Sequence, residues 1–191
     1  MTRAIPAVLA ALLLAACSSP EAGGPPAASG EATPPPAATG AADLSALPAH
    51  CTARGGGAET LPDPACTPGA TDPRVTQANI ATTICRTGYT RTVRPPTTYT
   101  EPLKRELARR YGDTGPLRDY ELDHLVSLEL GGSPTAAVNL WPEPGASPNP
   151  KDQVEQVANH AICAGRLPLA DAQRRISANW IEFGRSLGLA V

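Results

Sequence analysis

Asp123 and His124 stand side by side in "ELDHLVSLELGG", a run from Glu121 to Gly132 that is otherwise apolar and stops at a double glycine. Each group carries chemistry. An imidazole titrates near neutral pH and moves protons there, and a carboxylate is a hard oxygen ligand for a cation. A regular strand from Tyr120 to Leu130 would set Tyr120, Leu122, His124 and Val126 on one face and Glu121, Asp123 and Leu125 on the other. The two groups therefore converge only if the strand bends or ends near Asp123. Gly131 and Gly132 permit a tight reversal, after which Asn139, Leu140 and Trp141 return beside the first segment. A helix opening at Pro150 closes the unit, giving the order strand, turn, strand, helix.

Every one of these residues also has a plain structural use. Asp123 can pair with Arg110 or Arg118, His124 can be a satisfied core histidine, and Asn139 can cap a turn. Asp152 and Glu155, in the first turns of a helix, favour its dipole whatever else they do. Trp141 and Trp180 suit a core, His160 an exposed helix face, and His50 a linker.

"ELDHLVSLELGG…NLWPEP…KD" resembles the HNH, or His-Me finger (ββα-metal), nuclease motif over about Tyr120 to Glu155. The resemblance implies metal-dependent hydrolysis of a phosphodiester in DNA or RNA, which needs an activated water and a cation at the developing charge. It implies His124 as general base and Asp123 as metal ligand. Asn139 would fix the loop and the orientation of His124 without touching substrate. The cofactor would be a divalent metal, Mg²⁺ foremost, with Zn²⁺ or Mn²⁺ as alternatives. The chain departs from the motif at its third position, where the family's helix carries a second histidine. Here the helix opens "PKDQVE" and its histidine, His160, comes about two turns later. Asp152 can replace the missing ligand, with Glu155 as the alternative, while Lys151 can neutralise phosphate. The same departure supports a second reading, a catalytically inactive HNH-like envelope module that binds or supports. A third is hydrolysis of another phosphate ester by the same chemistry.

The elements that must position these groups follow from periodicity and punctuation. Val75 to Thr83 reads as a short helix, and the Thr-rich alternation from Thr87 to Val93 as a short strand ended by Pro95 and Pro96. In "TEPLKRELARRYG" Thr100 can cap, Pro102 fits a first turn, Leu103 and Leu107 share a face, and Gly112 stops the helix. Asn149 and Pro150 open the next helix, with Val154, Val157, Ala161 and Ile162 as its apolar stripe and Gly165 as its end. A last helix, from about Leu169 to Leu187, aligns Ala172, Ile176, Trp180 and Phe183. The stretch 51–75 reads as loop.

Residues 1–16 have the form of a signal peptide: Arg3, an apolar Ile5–Leu14 stretch too short to span a bilayer permanently, then small residues before Cys17. "LAAC" resembles a lipobox, which implies cleavage before Cys17 and lipidation there. That places the protein at the cell membrane, lipid-anchored on its extracytoplasmic face. Residues 17–48 are rich in Ala, Pro, Gly, Ser and Thr and read as a disordered, semi-stiff tether. Residues 49–191 form one domain. Its four cysteines, Cys51, Cys66, Cys85 and Cys163, lack a C-x-x-C pair, so two disulfides fit better than a zinc knuckle. Cys51–Cys66 would bracket a Gly-rich loop and Cys85–Cys163 would tie the ends of the core. Each would contribute roughly 3–4 kcal/mol by loop closure, although two other pairings remain open. The net charge of −2 argues against a general nucleic-acid coat protein. Arg86, Arg91, Arg94, Lys104, Arg105, Arg109, Arg110 and Arg118 nevertheless concentrate positive charge in about a quarter of the domain. Nucleic acid as substrate and the membrane through Cys17 are the partners implied; no protein partner is inferable. The expected fold class is α+β: a small ββα hairpin–helix unit surrounded by further helices and braced by disulfides.

Overall fold

A computed structural model describes Met1 and residues 42–145 and 147–191. The expected leader, Cys17 and most of the expected tether lie outside the described residues. The described chain mixes helices with two small antiparallel sheets, an α+β arrangement. Strands β1 (Arg54–Gly56) and β2 (Glu59–Leu61) form a short hairpin in the stretch expected to be loop. Gly55, at φ 79°, lies where a Cβ would stand 2.4 Å from the Glu59 carbonyl oxygen, so only glycine fits this close pairing. A 3-10 turn over Gln77–Thr82 follows.

The Thr-rich segment expected as a strand is a helix instead, α1 (Tyr89–Val93). Gly88, in the left-handed region, turns the chain into it, and Tyr89 and Val93, one turn apart, both reach the core. Tertiary burial overrides the β-propensity of threonine here. Helix α2 (Thr97–Tyr111) begins a turn before the expected Thr100 cap, directly after Pro96, and ends at Gly112 as expected.

The central unit is β3 (Tyr120–His124) paired with β4 (Leu140–Pro144), followed by α3 (Pro150–Cys163). The first strand stops at His124 rather than running to Leu130; Leu128–Leu130 is a 3-10 turn closed by Gly131 at φ 72°. The double glycine does not reverse the hairpin. It lets the 125–139 connection press against the 70–72 loop, where the Asp72 N–H donates to the Gly131 carbonyl. A Cβ on Gly132 would lie 1.7 Å from the Val126 carbonyl oxygen.

Register sorts the two hairpin faces. Glu121 opposes Glu143 and Asp123 opposes Trp141, while Leu122 opposes Pro142 and His124 opposes Leu140. Trp141 joins Val154, Ala158 and Ile162 of α3 and Ala172, Ile176, Trp180 and Phe183 of α4 (Leu169–Ser186) in the main core. Leu122 and Leu140 pack with Leu103 and Leu107 of α2 in a second core. The hairpin thus lies between α2 on one face and α3 and α4 on the other. Helix α4 breaks at Asn179, whose Oδ1 accepts from the Ile181 and Glu182 N–H groups and caps the second segment.

Part of the expected tether belongs to the fold. Leu47 is buried in the second core, and the Arg110 guanidinium donates to the carbonyls of Leu44, Leu47 and Pro48. A leucine pair and one arginine suffice to dock a segment whose composition reads as linker. The disulfides join Cys51 to Cys66 and Cys85 to Cys163.

Asp113, just past α2, has a buried Oδ2 without a hydrogen-bond partner among the described residues, and burial pushes its carboxyl up to about 6. A folded-state pKa above the unfolded one means the penalty is absent where both states are protonated. It grows as pH rises from about 4 to about 6 and is constant above. Asp113→Asn should therefore stabilise the domain by about 1 kcal/mol at pH 7.5, the shift being discounted for partial exposure. It should change nothing at pH 3.5. Thermal melts of both proteins at the two pH values check this.

Candidate functional site

The acid-facing side of the hairpin meets α3 around one ammonium group. Lys151, the second residue of α3, is fully buried at 0 % exposure. Its Nζ donates to Asp123 Oδ2 at 2.8 Å, to the His124 carbonyl at 2.9 Å and to Glu155 Oε1. Glu155 lies one turn along α3, the spacing at which helical side chains meet. Asp123 Oδ2 also accepts from the Trp141 indole N–H at 2.9 Å. Glu143, buried on β4, completes the acidic wall and accepts a long hydrogen bond, 3.3 Å, from the Asn149 amide, which also reaches Glu121 at 3.4 Å.

Electrostatics follow from this enclosure. Burial alone would deprotonate Lys151, but the neighbouring charges of Asp123, Glu155 and Glu143 outweigh it and raise its pKa. Burial drives the Glu143 and Glu155 carboxyls well above the carboxylate range, and the Asp123 charge adds to this against the pull of Lys151. Lys151 is thus held as an ammonium against the Asp123 and Glu155 carboxyls, with Glu143 close by.

His124 lies elsewhere. Its side chain projects from the opposite face, towards Leu140, and is buried at 6 % exposure. Its Nε2 is 3.0 Å from the Pro134 carbonyl. A carbonyl only accepts, so Nε2 carries the proton. Burial lowers the imidazole to about 4, and the Arg94 and Lys151 charges push the same way against Asp123. The ring is neutral throughout the physiological range. It shares with Lys151 only its main-chain carbonyl.

Asn139 is fully buried and uses both ends of its amide on main chain. Oδ1 accepts from the N–H groups of Val126 at 2.9 Å and Ala70 at 3.1 Å. Nδ2 donates to the carbonyls of Val126 and Ser133, both at 3.0 Å. It pins the long connection between the strands and makes no hydrogen bond to the His124 ring. Asp152 is a helix cap: its Oδ2 accepts from the Asn149 N–H at 2.8 Å and the Ser147 hydroxyl at 3.0 Å, while Asn149 Oδ1 accepts from the Lys151 and Asp152 N–H groups.

Of the residues expected to hold a divalent ion, Asp123 and Glu155 come together and Asp152 turns away to the cap. The oxygens that converge between β3 and α3 already receive an ammonium. Among the described residues no three His, Cys, Asp or Glu side chains group as a metal site. The residues present do not fit the expected Mg²⁺, Zn²⁺ or Mn²⁺. Sequence reading passed over Lys151 as a central residue, omitted Glu143, and placed Trp141 in the core, where it lies, without its bond to Asp123. The i, i+4 spacing of Lys151 and Glu155 was the available signal. No family model, no curated protein and no solved structure matches the chain.

Proposed function

We propose that the chain is a lipid-anchored, extracytoplasmic module with an HNH-like ββα unit, retained for stability and partner binding rather than for phosphodiester hydrolysis. The observation that carries this reading is the Lys151 ammonium between Asp123 and Glu155, in the place where hydrolysis would require a metal ion. Two further features agree with it. The would-be general base is buried and bonded to a carbonyl, and the would-be third ligand caps a helix. A buried, paired lysine gives a cation that no chelator removes, which suits a structural role outside the cell.

The test is a cleavage assay on the detergent-solubilised full chain with its disulfides intact. Plasmid DNA and a structured RNA are incubated with Mg²⁺, Mn²⁺ or Zn²⁺, beside His124→Ala. We expect no cleavage above background by either protein. Metal-dependent nicking that disappears in His124→Ala would overturn the module reading and restore the nuclease.

A further inference from the structure

The two disulfides sit in opposite surroundings. Cys51 and Cys66 are buried, at 6 % and 0 % exposure, whereas Cys163 is exposed and Cys85 half-exposed. Cys85 and Cys163 both line a cleft of about 340 Å³ between the 84–90 segment and α3. Its other walls are largely polar, with Arg86 beside Cys85, and Gln156 and His160 on α3. His160 stands three residues before Cys163, on the same side of the helix. Arg86 is exposed and, among the described residues, forms no salt bridge.

We propose that Cys85–Cys163 is a thiol-exchange site and that its cleft admits a small thiol bearing a carboxylate. The volume exceeds what a lone water needs, and the free guanidinium of Arg86 supplies a fork for a carboxylate. Glu129 lies in the same cleft and opposes an anion there, with burial raising its pKa. Exposed disulfides are the exchangeable ones, since attack requires access to a sulfur.

The fold also sets the direction of the exchange. The incoming thiolate attacks Sγ of Cys163, the more exposed residue of the bridge. The sulfur–sulfur bond breaks and its electron pair leaves on Sγ of Cys85, which then takes a proton from solvent. The product is a mixed disulfide on Cys163. A second thiolate displaces Cys163, so two small thiols are oxidised to one disulfide as the protein bridge is reduced. Cys85 is the better leaving group because Arg86 adjoins it. Cys163 ends α3, where the negative end of the helix dipole disfavours a thiolate.

The experiment exposes the native full chain to reduced glutathione, or to neutral β-mercaptoethanol, and follows both bridges by rapid alkylation and peptide mass mapping. Cys85–Cys163 should open at least roughly tenfold faster than Cys51–Cys66, with the first adduct on Cys163. Arg86→Glu should slow opening by glutathione several-fold and leave the β-mercaptoethanol rate unchanged. Arg86→Gln should fall between, and circular dichroism verifies that both variants are folded. Equal opening of the two bridges, a first adduct on Cys85, or equal slowing with both thiols would each overturn the proposal.

Discussion

Lys151→Met should destabilise the domain by about 3–5 kcal/mol and lower its melting temperature by roughly 10–20 °C. Methionine keeps most of the side chain's length and apolar packing, so the loss is mainly that of the charge and three donors. Asp123 and Glu155 would remain buried with no counter-ion, and the His124 carbonyl would lose its hydrogen bond. An uncompensated buried carboxylate is what makes breaking such a pair costly. Removing the whole group of charges is a different perturbation. The triple variant Lys151→Met, Asp123→Asn, Glu155→Gln should recover most of the loss, because uncharged replacements of a buried ion pair are often neutral or stabilising. Thermal melts of the parent, single and triple variants measure both effects, and a single variant as stable as the parent would remove the ion cage from the account of this fold. In the parent, millimolar Mg²⁺ or Mn²⁺ should leave the melting temperature unchanged, since an ion that binds the native state would raise it by mass action.

The contrast between Lys151 and Asp152 shows where sequence reading works and where it stops. The framework was legible because its signals are local. Asn149-Pro150 opens α3, Gly112 stops α2, and apolar residues three and four apart mark the helix faces. The strand, connection, strand and helix order from Tyr120 to Cys163 was legible from the same kind of evidence. Residues 89–93 were misread because threonine's β-propensity was weighed without knowing that Tyr89 and Val93 would both enter the core. The site was harder because its logic is not local. Asp152 lies three residues after Asn149, the spacing of a reciprocal cap, yet it was drawn as a ligand because its carboxylate was chemically convenient. Lys151 was read as a cation able to neutralise phosphate, a role that needs it exposed, as most lysines are. Its burial depends on Asp123 and Glu143 arriving from two strands, a convergence that no spacing along the chain discloses.

Asn139→Ala should cost about 4 kcal/mol, the second large effect, for a reason separable from packing. The amide joins four main-chain groups, the buried N–H and carbonyl of Val126 and the partly buried N–H of Ala70 and carbonyl of Ser133. Truncation orphans all four, and a buried polar group without a partner is penalised far more than a made hydrogen bond is rewarded. Asn139→Asp isolates this effect from cavity formation because the side chain keeps its shape. Its Oδ1 still accepts from Val126 and Ala70, but the second oxygen now faces two carbonyls it cannot bond, as a buried negative charge. The Asp variant should be no more stable than the Ala variant at pH 7 and should regain stability on acidification, when a carboxylic O–H restores one donor. Its carboxyl pKa, raised in the folded state, sets the sign: the penalty grows as pH rises through the unfolded value and is relieved below it. Melts of the three proteins between pH 4 and 8 decide the matter. Should Asn139→Asp match the parent at pH 7, the connection would not depend on those donors, and the placement of His124 against Pro134 would have to rest on packing alone.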